Sequence, residues 1–466
     1  VILNQLKLYL AGYDNSGMDA FYPEWWANES LAILENNMVA AQMVHRDFSP
    51  IVANFGDIVN TRRPGEFQAK RKTVADNVTI QDAVATNVQV PLNQHIHTSF
   101  IVKDGEMAWA FKDLVEVYIQ PAMLSIAQIV DQIICAQAVQ FLGNARGTLG
   151  GLTSSNAIDY ILSTREILNV NKAYMDGRNL LVSPYSETAM LKNEAFTSAE
   201  KVGDGGTALK KAWLGQKLGF DIWMDQNVPS PRSGTSTTIS TIAINNGAGY
   251  PAGTATVVID GAGATAANIR VGSWVNIAGS GVPHRVTALT GGPPYTGMTV
   301  SPVLANAVVD DAVISVATDG AVNLAAGYAA GYSKEIAVDA FTVAPQIGQF
   351  VTFGTDTNKY VVLQATTTSI LLDRPLVNAI ADDAQVHLGP AGSYNLAFHK
   401  NAIALVNRPL PMPSSNLANA AQVSYNNISM RAVMTYDGDK QGHLVTLDLL
   451  LGVAILDTNL GAVLLG

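Results

Sequence analysis

Charge is scarce in this 466-residue sequence. Lys, Arg, Asp and Glu make up 14% of it, against about 25% in an ordinary globular chain. Hydrophobic residues reach 48% and mean hydropathy is +0.18. Such a chain can bury a large core but has little charge to solvate a free surface, so either the surface is polar and neutral or neighbours cover much of it. Cysteine is nearly absent. The one residue, Cys135, excludes an intrachain disulfide framework and a multi-cysteine metal site. A basic excess is absent too. The net charge of −10 excludes a nucleic-acid grip by the whole chain and suits an acidic face meeting a basic partner. No stretch reads as a membrane span: the apolar run Leu449 to Leu456 is short and bracketed by Asp448 and Asp457. No signal-peptide pattern opens the chain, which starts at Val1.

What is present falls into blocks. Glu24 to Ala41 carries Trp25, Leu31, Leu34, Met38 and Ala41 at helical spacing. From about Ile51 to Val102 the pattern changes to period two, which predicts strands and a long two-stranded loop. Arg62, Arg63, Lys70, Arg71 and Lys72 make a basic patch on it. The strongest helix follows. Ile119, Met123, Ile126, Val130, Ile133, Ile134, Ala138 and Phe141 line one broad face, Pro121 suits the first turn, and Gly143-Asn144 suits the stop. From Pro121 to Gly143 it would run about 35 Å. Residues 155–225 alternate helix and strand, with Asn179 to Pro184 and Phe220 to Met224 as buried strands.

Near Gln226 the composition turns to Gly, Ala, Thr, Val and Asp, in short strands and turns. This block repeats itself. Val271-Gly272-Ser273-Trp274-Val275 matches Ile347-Gly348-Gln349-Phe350-Val351, and Asn306-Ala307-Val308-Val309-Asp310-Asp311-Ala312 matches Asn378-Ala379-Ile380-Ala381-Asp382-Asp383-Ala384. Two tandem β-modules follow, at about 240–317 and 338–390, with 325–340 read as a linker. After Gly392 the mixed pattern returns. The chain thus leaves an α+β body near 226 and rejoins it near 392.

Catalytic chemistry finds no constellation. His95 and His97 share a strand face but lack further metal ligands. Asp437-Gly438-Asp439 lacks the rest of a calcium loop. Gly203-Asp204-Gly205-Gly206 lacks the ending of a phosphate loop. Cys135 sits mid-helix, a core position. No catalytic residue, cofactor site or metal site is assigned, and an enzyme is not expected.

The ordered landmarks carry a resemblance. They are the strand-rich loop, the long helix with Asp131 in Ile129-Val130-Asp131-Gln132, Arg178 to Pro184, and Gly219 to Trp223 before Asn227-Val228-Pro229. Asn395 to Lys400 before Arg408-Pro409-Leu410, and Leu447 to Gly452, complete the set. In this order they resemble the major capsid proteins of tailed bacteriophages, in the branch related to the P22 coat protein. The resemblance implies the HK97-type capsid fold with an inserted all-β region. It implies an N-terminal arm (1–50), an extended loop (51–104), a peripheral domain with spine helix (105–150) and an axial domain (151–225 and 392–440). The insertion would be 226–391, and 441–466 would return a strand to the peripheral domain. The family carries one inserted β-domain at this point, whereas the insertion here is doubled.

The resemblance further implies self-assembly into hexamers and pentamers of an icosahedral shell around double-stranded DNA. A scaffolding protein, a portal protein and a decoration protein are the implied partners, with diffuse contact to the packaged DNA and no membrane. The location would be the virion capsid, after assembly in the host cytoplasm. Arg62, Arg63, Lys70, Arg71 and Lys72 are the candidates for intersubunit contact. Asp19, Glu24, Glu29 and Glu35 are the candidates for meeting a basic scaffold. Some shells of this fold crosslink a loop Lys to Asn, and Lys70, Lys72 and Lys103 are available, but this branch is not generally crosslinked and no crosslink is expected. Two other readings stand beside this one: an encapsulin-like compartment shell, and a secreted glycan-binding protein using Trp274, Tyr295, Phe350 and Tyr360.

Overall fold

The computed structural model describes residues 23–48, 54–63, 69–72, 80, 86–103, 115–198, 211–231, 236–237, 242–261, 264, 269–317, 319–339, 341, 344–413, 419–425 and 427–466. It is an α+β structure with two sheets in its body and two β-modules inserted between them.

The long helix is its spine. A π-helical turn at Val115–Ile119 leads into α-helix over Gln120–Ala136, and 3-10 helix continues over Gln137–Asn144. Pro121 lies in the first turn of the α segment, where its missing N–H costs nothing. Its buried face includes Met123, Ile126, Val130, Asp131, Ile133, Ile134 and Cys135, while Leu124, Ser125 and Gln128 are exposed. Contrary to the sequence expectation, Val117–Asn144 is long and apolar enough to cross a membrane, yet 72% of its most apolar window is buried within the protein. It is a core helix.

One sheet is centred on Gly442–Ile455. This 14-residue strand pairs antiparallel with Gln94–Lys103, Ile428–Asp437 and Ile403–Arg408, and Asn419–Tyr425 adds to Ile428–Asp437. The second sheet runs Ala145–Gly147, Gly461–Leu465, Tyr394–His399, Arg178–Val182, Phe220–Met224 and Gly215–Lys217. The first sheet and the spine share one core. The helix Ala157–Val170 packs a second core against the other sheet, through Ile161, Leu168, Leu180, Ile222 and Leu464.

These pairings redraw three expected boundaries. Gln94–Lys103 is a strand of the first sheet, so the separate two-stranded element is Ile58–Arg63 with Thr86–Pro91. Ile403–Arg408 and the strands to Asp437 join that same sheet, and the last strand, Gly461–Leu465, joins the other one. The short 3-10 turn Lys400–Ala402 moves the chain between sheets. Strand residues on both sides of the turn are buried, so burial alone does not distinguish the sheets.

The inserted region is a duplication of one barrel. Asp319–Val322 to Gln385–Leu388 form a closed six-stranded barrel. The first module orders six of its strands in the same way, with Ser236–Thr237 added beside Ile314–Ala317, and bridge Ala243↔Val313 links Ala243–Ile244 back to the start of that strand. The second module starts near Asp319, so the residues read as a linker form its first turn and its second strand, Ile336–Asp339. Gly247-Ala248-Gly249-Tyr250-Pro251-Ala252-Gly253 and Ala325-Ala326-Gly327-Tyr328-Ala329-Ala330-Gly331 are equivalent. The Tyr250 and Tyr328 hydroxyls accept from Val258 N (2.9 Å) and Ala337 N (2.7 Å). Asp310 and Asp382 accept from Asn246 N (2.7 Å) and Leu324 N (3.0 Å). Both modules also bulge at one place, Val286/Ala288 and Val362/Gln364.

Candidate assembly surfaces

The acidic N-terminal segment docks on the spine. Helix Pro23–Asn37 buries Ala27, Leu31 and Leu34 in the spine's core. Where it ends, Asp131 of the spine reaches across: its Oδ2 accepts from Val39 N (2.7 Å) and its Oδ1 from Ala41 N (3.1 Å). A carboxylate from another element thereby caps the short helix Ala40–Met43, which has no side-chain cap of its own. Further on, His45 adds a parallel bridge to Ala404, with His45 N donating to Ile403 O (3.0 Å) and Leu405 N to His45 O (2.9 Å).

Two more polar groups sit beside Asp131. Cys135 Sγ donates to Asp225 Oδ2 (3.7 Å), and Asp225 Oδ1 takes Asn227 N (2.8 Å) and Asn227 Nδ2 (3.0 Å). Burial first, and the Asp225 charge second, push the Asp131 carboxyl up to about 7 against the pull of its backbone donors. Burial also raises Asp225 and holds the Cys135 thiol well above its ordinary value, so the thiol stays protonated. Asp131 is a landmark of the sequence pattern. Its chain-crossing role needed the fold.

Among the scaffold-contact candidates, Glu29 is half-buried on the docked helix. Glu24 and Glu35 lie on the same helix, and Asp19 lies outside the described residues. The basic candidates divide similarly. Arg62 and Arg63 end the strand Ile58–Arg63, paired with Asn87 and Thr86. Lys70, Arg71 and Lys72 are solvent-exposed. The base of this two-stranded element is anchored: Val90 and Leu92 are buried against Ala404, Val406 and Leu450. The backbone approach is close there, since a side chain at Gly452 would come 2.3 Å from the Pro91 carbonyl oxygen. Gly203 to Gly206 lies outside the described residues.

The remaining polar motifs are structural. His95 Nε2 is 3.2 Å from Asp448 Oδ2, and Asp448 also holds Arg431 through two hydrogen bonds, at 3.0 and 2.5 Å. The His97 ring centroid is 6.3 Å from that of His95. No group of three metal-ligating side chains occurs among the described residues. Asp437 Oδ1 accepts from Asp439 N (3.1 Å) and Lys440 N (3.3 Å), an Asx-turn joining two strands. Trp274, Phe350 and Tyr360 are buried, so they offer no open ring for stacking on a sugar, and Tyr295 is half-buried.

No protein-family model matches the chain, and no curated protein matches it. Solved structures similar to it include several from bacteriophages. A structure from Mycobacterium phage Che8 is 12% identical over 91% of this chain and 90% of its own, with a TM-score of 0.41. The capsid structure of cyanophage P-SCSP1u is 9% identical over 92% and 88%, with a TM-score of 0.44. The mature capsid of bacteriophage PhiM1 is 9% identical over 92% and 86%, with a TM-score of 0.38.

Proposed function

We propose that the chain is the major capsid protein of a tailed phage, with the HK97-type fold, and that it assembles into the hexamers and pentamers of an icosahedral shell around double-stranded DNA. One observation carries the reading. A buried spine helix underlies a sheet centred on a 14-residue strand, and an anchored two-stranded element leaves that sheet carrying exposed Lys70, Arg71 and Lys72. A two-stranded ribbon is marginal alone and gains stability by lying on another surface. In an acidic chain the surface that suits these cations is a neighbouring copy. The low charge content fits a surface largely covered in the assembly.

Within this proposal residues 1–50 are the arm, and 51–93 the arm's continuation and the extended loop. The first sheet with the spine is the peripheral domain, and the second sheet the axial domain. The insertion after Phe220–Met224 supports the P22-like branch. Scaffolding, portal and decoration proteins are partners in the same proposal, as are diffuse contact with DNA, assembly in the host cytoplasm and residence in the virion capsid. An encapsulin-like shell would share the body but has no evident use for the insertion. The buried aromatics disfavour the glycan-binding reading.

The test is assembly. The full chain, expressed with and without its scaffold, should form very large closed particles by size exclusion and electron microscopy. The triple variant Lys70→Glu, Arg71→Glu, Lys72→Glu should lose at least about nine-tenths of particle yield, while the soluble subunit melts within about 0.5 kcal/mol of the parent, since exposed surface charges contribute little to folding. Subunits that remain monomeric under every condition would sink the proposal. A variant that assembles normally would remove the role of the three cations.

A further inference from the structure

The two β-modules meet around a group of cations that the shell reading does not use. Arg285, on Pro283–Thr290 of the first module, is 9% exposed. Its Nη2 donates to Gly354 O of the second module (3.1 Å), while its buried Nε has no partner. Arg374 of the second module donates from Nε to Asp373 Oδ2 (3.0 Å), and its buried Nη2 has no partner. The Lys359 ammonium lies 6.0 Å from the ring centroid of Trp274, and no hydrogen bond or ion pair holds it among the described residues. Burial, then Arg285 and Arg374, push Lys359 below its ordinary value.

Of the two carboxylates nearby, Asp373 is engaged at both oxygens and Asp356 at one. Asp373, fully buried, takes Val361 N on Oδ1 (2.6 Å) and Arg374 on Oδ2. Asp356 turns Oδ1 to Asn358 N (3.1 Å), Asn358 Nδ2 (2.7 Å) and Asn378 Nδ2 (3.2 Å). Its charge acts on Arg285 without forming an ion pair, and its buried Oδ2 has no partner. Three cations therefore stand against two carboxylates, with two buried guanidinium N–H groups and one buried carboxylate oxygen unpartnered.

We propose that Arg285, Lys359 and Arg374 form a binding site for a small oxyanion of the phosphate class at the junction of the two modules. Water could satisfy the open donors but would leave the repulsion between the cations. A tetrahedral anion supplies several acceptors and neutralises the charge in one step, and guanidinium and ammonium groups are the side chains that bind it best. Access is from the Arg374 and Lys359 side, where the Arg374 side chain is 24% exposed. Arg285 belongs to one module and the other two to its neighbour, so the bound anion ties the modules together.

Inorganic phosphate is the probe, on the full-length chain, with chloride at matched ionic strength as reference. Phosphate should raise the melting midpoint beyond chloride, and calorimetry should find one phosphate per chain. Lys359→Met and, separately, Arg374→Gln should bind phosphate at least about tenfold more weakly. Lys359→Met should melt no lower than the parent without phosphate, because it removes an uncompensated cation and keeps the apolar stem. Equal responses to phosphate and chloride, or undiminished binding in both variants, would overturn the proposal.

Discussion

Trp274→Ala is expected to lower the free energy of unfolding by about 3–5 kcal/mol, the usual cost of emptying a large aromatic site in a core. The side chain is 1% exposed. Its ring meets Phe350 edge-on at 4.7 Å, and Phe350 in turn meets Tyr394 edge-on at 5.6 Å. The three rings thus run from the first module through the second to the second sheet of the body, in one cluster with the spine. Trp274 Nε1 also donates to Thr352 Oγ1 (3.1 Å), and Thr352 is fully buried, so the truncation strands a hydroxyl as well as leaving a cavity. Urea titration of the unassembled subunit should show the lowered midpoint. It should also show fluorescence and circular dichroism transitions that no longer coincide, because the modules then unfold apart from the body. Val258→Ala, at a site 45% exposed on the first module, should change stability by no more than about 0.5 kcal/mol. A loss below about 1 kcal/mol for Trp274→Ala would mean that the modules are held by something other than this ring stack.

How far the sequence could lead is visible at these same residues. The pairing of Trp274 with Phe350 by repeat position was legible, because duplicated modules keep the same local pattern. Their contact in space was not, because equivalent positions need not touch. The repeat was legible from its bulkiest match and missed at Gly327-Tyr328, where Ala-rich neighbours mimic a linker. The hydrogen bonds of the Tyr328 hydroxyl and of Asp382 identify that turn as part of the barrel. The spine was legible because an amphipathic period over many residues has one explanation. Strand partners were harder. Ile96 and Val102 alternate with exposed His95, His97 and Lys103 as any edge ribbon would, and only the facing strand Gly442–Ile455 decides that they belong to a sheet. The fate of Gly461–Leu465 was hidden for the same reason: all five residues are buried, and a fully buried strand carries no periodicity that names its sheet.

The second large effect is a pH dependence at the junction of arm and spine. The Asp131 carboxyl titrates near 7 in the folded chain, against an ordinary value of 3.8. Folded protein therefore keeps a proton that the unfolded chain gives up between those two values. The stability linked to this group is fully present below about pH 3.8, drains away as pH rises through about 7, and changes no further above it. Some three units at about 1.4 kcal/mol each give a span of roughly 4 kcal/mol. Asp225 is raised by burial too and contributes in the same direction, whereas Cys135 stays protonated throughout the window. Asp131→Asn removes the titration and leaves one amide oxygen for two backbone donors, Val39 N and Ala41 N, so one is lost at about 1–3 kcal/mol. Near pH 4 the variant should accordingly be the less stable chain. Near pH 8 the gap should close or reverse, because the parent then carries a buried charge that the variant lacks. Urea midpoints of both subunits across that range would show the converging lines, and hydrogen exchange at Val39 and Ala41 would show faster opening in the variant at the acid end. Parallel lines would place the titration elsewhere. An Asp225→Asn chain that kept the full parental slope would leave Asp131 as its source, and one that lost the slope entirely would move it to Asp225.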